Sequence, residues 1–259
     1  MSVLEKDGIR QAVREVYGRA AATGCCGSTC CTGPVPDLSH RMGYTAEEMS
    51  AVPDGAHLGL GCGNPQAIAA LKTGEVVLDL GSGAGFDSFL AARQVGESGQ
   101  VIGVDMTPEM LSKARANAAN NGYHNVEFRL GEIENLPVAD DSVDVILSNC
   151  VINLSPDKGR VFTEAFRVLK PGGRLAISDI VATAALPDHI RHDMALHAGC
   201  IAGASQISEL EDMLRAAGFE KIQISPKEES KALISTWTPE ASVTDFIISA
   251  TIEGVKPAS

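Results

Sequence analysis

The sequence predicts an α/β fold: a mostly parallel seven-stranded sheet with an antiparallel C-terminal edge, an N-terminal helical segment and a C-terminal helical insertion. Three observations carry this expectation. Between residues 74 and 182, short apolar runs alternate with helix-periodic segments, the pattern of a parallel sheet with crossover helices. The first apolar run, VVLDLGSGAG, ends in clustered glycines and leads directly into a helix pattern. The last two strand-like runs, FEKIQISPKE and TDFIISATIEG, form a pair suited to closing an open sheet in antiparallel fashion.

Each element has a local reason. Residues 1–70 are a helical and Cys-rich lead segment. A helix is expected from Asp7 to Ala22, with Ile9, Val13, Val16 and Tyr17 on one face. GYTAEEMSAVPDG carries a helical turn or two, and a short helix follows Pro65, a residue favoured at a first helical position. Residues 71–182 hold the core unit, with strands in GEVVLDLGSG, GQVIGVDM, NVEFRLGE, SVDVILSNC and RLAISDIV. GFDSFLAARQV is its first helix, and TPEMLSKARANAANNG is its second, with Thr107 as cap, Pro108 at the first position and Gly122 after the end. The helix in SPDKGRVFTEAFRVLKPGG takes Ser155 as its cap. Residues 183–259 supply a helix across LPDHIRHDMALHAGCI, another across SQISELEDMLRAAGF, and the closing strands.

Composition narrows the function. The 259 residues include 21 basic and 33 acidic side chains, a net charge of −12. Such a chain repels phosphate backbones, and only 4% of its residues are aromatic, so nucleic acid is not the expected partner. No run of about 18 apolar residues is present, so no membrane role is expected, and the first residues lack the apolar core of a secretory signal. A cytoplasmic location is expected. The oligomeric state is not legible.

The glycine turn is shaped for a nucleotide. Gly81, Gly83 and Gly85 let backbone approach a ligand closely, and the following helix presents free N–H groups. The second strand ends at Asp105, where folds of this kind hold ribose hydroxyls. A dinucleotide fits less well, because the spacing is G-x-G-x-G and no second nucleotide half follows.

VLDLGSGAG, VIGVDMTPEM, GEIENLP and LKPGGRLAISD together resemble the class I S-adenosylmethionine-dependent methyltransferases, over about residues 72–182. The resemblance implies a Rossmann-like fold and S-adenosylmethionine as cofactor. It implies that Gly81, Ser82, Gly83 and Gly85 face the methionine moiety, that Asp105 holds the ribose, and that Met106, Ile133 and Glu134, with Glu132 beside them, surround the adenine. Asn149 would border the methyl-donor end.

The acceptor must be read from the cysteines, because this fold serves many acceptors. There are seven, an odd number in a chain too long to need disulfide staples. Cys25, Cys26, Cys30 and Cys31 sit together, whereas Cys62, Cys150 and Cys200 lie in three separate segments among small residues. Cys150 ends the fourth strand, on the side where open parallel sheets bind ligands. Zinc ligands tend to come in closely spaced pairs, which these three do not; His57 and His197 could complete such a site, but no motif demands it. Three thiolates suit a soft three-coordinate centre that keeps a lone pair, such as trivalent arsenic.

SNCVINLSPDKGRVFTEAFRVLKPGG, with LGLGCGNP upstream and AGCIAGA downstream, resembles the arsenite S-adenosylmethionine methyltransferases over nearly the whole chain. That resemblance implies transfer of methyl groups to trivalent arsenic held by Cys62, Cys150 and Cys200, from arsenite or its thiol conjugates. It also implies a thiol reductant, glutathione or thioredoxin-type, and disulfide exchange involving one cysteine of the N-terminal patch. Cys25, Cys26, Cys30 and Cys31 compete for that role, and the CC-x3-CC patch also suits a second metal or metalloid. Two rival readings stand beside this one. A quinone- or sterol-type C-methyltransferase shares LKPGG and GEIENLP but has no need of three thiols; a non-catalytic thiol-rich arsenic or metal binder would bind without turnover.

Overall fold

The computed structural model describes residues 2–23, 39–235, 237, 243 and 245–258. One sheet contains β1 (Val76–Leu80), β2 (Gln100–Asp105), β3 (Val126–Leu130), β4 (Val143–Asn149), β5 (Leu169–Ala182), β6 (Ser205–Gln206), β7 (Glu220–Lys227) and β8 (Ile247–Val255). Its path is β3-β2-β1-β4-β5-β8-β7, with β6 beside β5. The strands from β3 to β5 run parallel, and β8 runs antiparallel to both neighbours. This is the expected seven-stranded arrangement with one addition. The two-residue β6 pairs with Val181 and Ala182 and is too short to leave a periodicity in the sequence.

The parallel strands read as continuous apolar runs because both faces are covered. Leu78, Ile146, Ile177 and Phe162 meet in the largest core cluster, all at most 1% exposed. Truncating Phe162 to alanine would cost about 3–5 kcal/mol. The chain goes outward from β1 to β2 and β3, then returns to the other side of β1 for β4. That reversal creates a crevice at the carboxyl ends of β1 and β4, the usual ligand position in such sheets.

The helices refine the sequence reading. Helix α1 (Val3–Thr23) is longer than expected and buries Val13, Ala20 and Ala21. α2 (Ala46–Ser50) starts from a Thr45–Glu48 capping box, and α3 (Gln66–Ala69) follows Pro65. α4 (Phe86–Val95) and α5 (Pro108–Asn120) are the first two crossovers. Thr107 occupies the cap position of α5, yet its side chain makes no capping bond. α6 (Lys158–Val168) is capped by Asp157, which accepts from the Arg160 N–H, and not by Ser155. The Ser155 hydroxyl is instead donated to Glu134 at 2.7 Å.

The single helix expected across residues 186–201 is two short ones, α7 (Asp188–Arg191) and α8 (Met194–Ala198). Asp193 explains the break: its side chain accepts from the Ala195 and Leu196 N–H groups and restarts the helix. α9 (Ile207–Ala217) begins with a Gln206–Glu209 capping box. Among the described residues no helix is long and apolar enough to cross a membrane.

Candidate active site

A cleft opens at the crevice between β1 and β4, with about 1110 Å³ of empty space when the open solvent at its mouth is included. Gly81, Ser82, Gly83, Asp105, Met106, Ile133, Glu134 and Asn149 all line it. Gly85, expected beside them, is not part of the lining. A Cβ there would lie 2.6 Å from the Phe89 ring and 2.9 Å from Phe128, so this glycine lets the loop pass over buried aromatics. Gly81 has φ +67°, and a side chain on it would strike Val151 on the cleft wall. Asp105 fixes the loop from across the crevice, accepting the Gly83 N–H at 2.9 Å and the Thr107 N–H at 2.8 Å. Burial raises its pKa, and these N–H groups hold it back.

Asp79, Asp87 and Tyr44, at the floor of the cleft, escape the sequence reading. Asp79 accepts from the Ser88 hydroxyl at 2.6 Å, and Asp87 accepts from the Tyr44 hydroxyl at 2.8 Å. Both carboxyls are buried, line the cleft, and have raised pKa values, chiefly from burial. Asp87 raises Asp79 further. Among the described residues neither acid forms a salt bridge. A buried pair of acids without a cation favours a positively charged ligand. The available signal was Asp79 itself, an acid inside the otherwise apolar run VVLDL.

Asn149 links this floor to the cysteines. Its Nδ2 donates to Gly63 O at 2.8 Å, Tyr44 Oη at 3.0 Å and Asp87 Oδ2 at 3.2 Å. Its Oδ1 accepts the Cys62 N–H at 3.1 Å. One side chain at the end of β4 therefore positions the loop that carries Cys62.

Helix α1 covers the other end of the cleft. Arg10 reaches Glu134 at 3.2 Å and Glu132 at 3.3 Å, while Val13 and Tyr17 line the opening. Lys6 adds a 2.5 Å pair with Asp157. Glu134 thus bonds through its carboxylate to Arg10 and Ser155.

The three dispersed cysteines meet. Cys62, Cys150 and Cys200 are reduced and lie in one buried cluster, with Ile9 and Tyr17 of α1 packed against it. The Sγ atoms of Cys62 and Cys150, with a carboxylate oxygen of Asp179, lie within 4.8 Å of one another. The Cys200 thiol donates to the Cys150 carbonyl at 2.9 Å, and the Cys62 thiol to Ser178 O at 3.6 Å. Only Cys150 faces the cleft; the other two stand behind it, 3% exposed each. The small residues around these cysteines do not open them to solvent, and all three are buried. Cys150 and Cys200 both have left-handed backbone, φ +60° and +64°, a strain that β-carbon residues rarely carry.

Burial and mutual contact keep the Cys62 and Cys150 thiols protonated. Cys62 is pushed up to about 11, mainly by burial. Cys150 is raised well above the thiol range, first by its contact with Cys200 and then with Cys62. The carboxyl of Asp179 is pushed up to about 6 by burial, against the N–H groups of Ile180 and Ile152. Lys158 steadies the Cys200 segment by donating to Gly203 O and, at 2.9 Å, to Ser205 Oγ. His57 contacts Ser39 and Phe86, and His197 reaches Leu154 O at 3.3 Å; neither is in the donor cluster. Cys25, Cys26, Cys30 and Cys31 lie outside the described residues.

Comparison with known proteins agrees with this site. Residues 71–218 match the model of the methyltransferase domain. The chain is 55% identical over 96% of its length to an arsenite methyltransferase of Halobacterium salinarum, and covers 67% of that protein. It is 42% identical over 82% of its length to one of Aquipseudomonas alcaligenes, and covers 62% of it. The chain thus spans about two thirds of the curated relatives it matches. The crystal structure of an arsenic(III) S-adenosylmethionine methyltransferase from Chlamydomonas reinhardtii superposes with TM-score 0.64 at 35% identity, over 87% of this chain and 75% of that one. Glycine cleft, converging thiols and relatives agree: the chain belongs to the arsenite methyltransferases, within the class I S-adenosylmethionine-dependent methyltransferase fold.

Proposed function

We propose that this protein transfers methyl groups from S-adenosylmethionine to trivalent arsenic held by Cys62, Cys150 and Cys200. The observation that carries the reading is the convergence of three thiols from remote segments behind the wall of the cleft, with Cys150 on its surface. A quinone- or sterol-type acceptor gives no reason for that convergence.

The residues present fit the cofactor. The Ser82 hydroxyl is buried in the cleft lining without a hydrogen-bond partner, and the glycine loop leaves no side chain in front of it. When bound, S-adenosylmethionine supplies an electrophilic methyl group on a cationic sulfonium. A bound cation lowers the raised pKa values of Asp79 and Asp87 and draws both toward the carboxylate form that complements its charge, and Asp105 faces the ribose hydroxyls. Met106 and Ile133 form apolar wall, while Arg10 ties α1 across the opening through Glu134.

Arsenite or a thiol conjugate exchanges its oxygen or sulfur ligands for the three cysteine sulfurs. Each exchange passes one thiol proton to the departing hydroxide or thiolate, so the high thiol pKa values are no obstacle. The arsenic lone pair then faces the cleft beside Cys150. Catalysis rests on this placement, since arsenic has no proton to lose. Methylation leaves arsenic formally pentavalent. Two thiols return it to the trivalent state by forming a disulfide, which an external thiol, glutathione or thioredoxin-type, reduces. Cys62 and a cysteine of the 25–31 patch are the proposed exchange pair.

The test is incubation with arsenite, S-adenosylmethionine and a thiol, with methylated arsenicals resolved by chromatography and elemental detection. Methylarsenicals should form, and Cys150→Ser should abolish them. Arsenite bound without any methylated product would leave a binding protein and overturn the reading.

A further inference from the structure

We propose that Cys62, Cys150 and Asp179 form a site for a thiophilic divalent cation of the zinc and cadmium class, overlapping the arsenic set but completed by the carboxylate rather than the third thiol. The three donor atoms lie within 4.8 Å of one another and all three residues are buried. Donors around a tetrahedral ion of this class stand roughly 3.4–3.8 Å apart, so closure needs a shift of about 1 Å. Rotation of the Cys62 and Cys150 side chains about their Cα–Cβ bonds supplies it, while Asn149 and Ser249 hold the Cys62 backbone.

Asp179 has capacity to spare. Among the described residues its Oδ1 accepts from Asn153 Nδ2 and Ile180 N, its Oδ2 accepts the Ile152 N–H at 2.9 Å, and the Asn153 backbone N–H also acts on the carboxylate. A carboxylate oxygen that accepts an N–H group can still ligate a metal ion, so these bonds orient Asp179 without closing it to a cation. The preference of each occupant follows from its chemistry. Trivalent arsenic binds three sulfurs as a pyramid and has little affinity for a carboxylate oxygen. A divalent d10 ion accepts sulfur and carboxylate together and adds a fourth ligand, here Cys200 or water. Two thiolates and one carboxylate on a divalent ion leave one negative charge, which Lys158 partly offsets through its attraction to Asp179. Binding releases the two thiol protons to solvent. Because Cys62 and Cys150 serve both occupants, cation and arsenic exclude each other, and ions of this class compete with arsenic uptake.

The experiment uses Co²⁺ as a visible probe on the full chain, with Cys25, Cys26, Cys30 and Cys31 replaced by serine so that the buried donors alone report. Thiolate-to-cobalt charge transfer and intense tetrahedral ligand-field bands should appear at one equivalent, and Zn²⁺ or arsenite should erase them. Cys200→Ser should keep the tetrahedral cobalt spectrum while losing arsenite affinity. Asp179→Asn should weaken cobalt by at least about tenfold while arsenite affinity stays within about twofold. Loss of the cobalt spectrum in Cys200→Ser, or unchanged cobalt affinity in a folded Asp179→Asn, overturns the proposal. If Asp179→Asn does not fold, the Cys200→Ser spectrum decides alone, since without the carboxylate that variant has only two donors. Failure of arsenite to bind any variant would strike the proposed function and leave the cation site standing.

Discussion

The Cys200 thiol lies 2.9 Å from the carbonyl oxygen of Cys150, a residue 50 positions earlier in the chain. Both residues hold left-handed backbone, which side chains with a Cβ adopt at a cost of about 1–3 kcal/mol each. The surrounding structure must enforce that conformation. Asn153 does so from one side, bonding Asp179, the Ile180 carbonyl and the Cys200 carbonyl, and Lys158 from the other through Gly203 and Ser205. Ala70, Asp141 and Lys221 also hold left-handed backbone, but none of them lines the cleft or joins the cysteine cluster.

Cys62 should separate two substrates. Monomethylarsenite has two exchangeable positions and can be held by Cys150 and Cys200 alone. Cys62→Ser should therefore cut methylation of arsenite by at least about a hundredfold, while a single methyl transfer to monomethylarsenite, before any disulfide step, stays near the parent rate. Parallel rate measurements on the two substrates check this, and equal losses would contradict the assignment.

Alkaline pH should destabilise the protein through the same thiol. Cys62 is raised to about 11, whereas an unfolded thiol titrates near 8.5. The folded state keeps its proton longer, so the stabilisation is complete below the unfolded value and disappears as pH rises through about 11. Urea unfolding between pH 8 and 11 should lose about 2–3 kcal/mol that Cys62→Ala does not lose.

Arg10 should govern cofactor retention. Replacing it by methionine keeps the aliphatic contact of α1 but removes both ion pairs to Glu132 and Glu134. Loss of a charged hydrogen bond of this kind costs about 1–2 kcal/mol, a roughly five- to thirtyfold rise in the dissociation constant of S-adenosylmethionine. Calorimetric titration without arsenic measures it, and arsenite affinity should not change.

Gly203 should tolerate no side chain. A Cβ there would overlap the carbonyl oxygen of Asn153, which is backbone and cannot swing away. Gly203→Ala should lower stability by about 1–3 kcal/mol and weaken arsenite binding, because the segment bearing Cys200 must move. Gly8, in α1 with nothing within 4 Å of its would-be Cβ, is the control. Its replacement by alanine should stabilise by about 0.5–1 kcal/mol.

The sequence alone determined the sheet, the glycine turn and the list of dispersed thiols, because each is written locally. Continuous apolar runs mark buried parallel strands, glycines mark backbone that must bend or be approached, and Cys150 follows directly on a strand whose end faces the crevice. Helix boundaries were less legible where one polar side chain decides them, as Asp193 does in splitting α7 from α8 and Asp157 in capping α6. Gly85 shares the glycine run of the cleft-lining Gly81 and Gly83, and spacing alone does not reveal that its missing side chain clears the Phe89 ring.

Only the tertiary structure decided what stands beside what. It brought Asp179 to the sulfurs of Cys62 and Cys150, set the acids Asp79 and Asp87 beneath the cleft, and gave Asn149 hold of both Gly63 and Cys62. These are contacts between segments far apart in the chain. Their geometry depends on strand order and on which side chains fill the space between, and no local pattern encodes either.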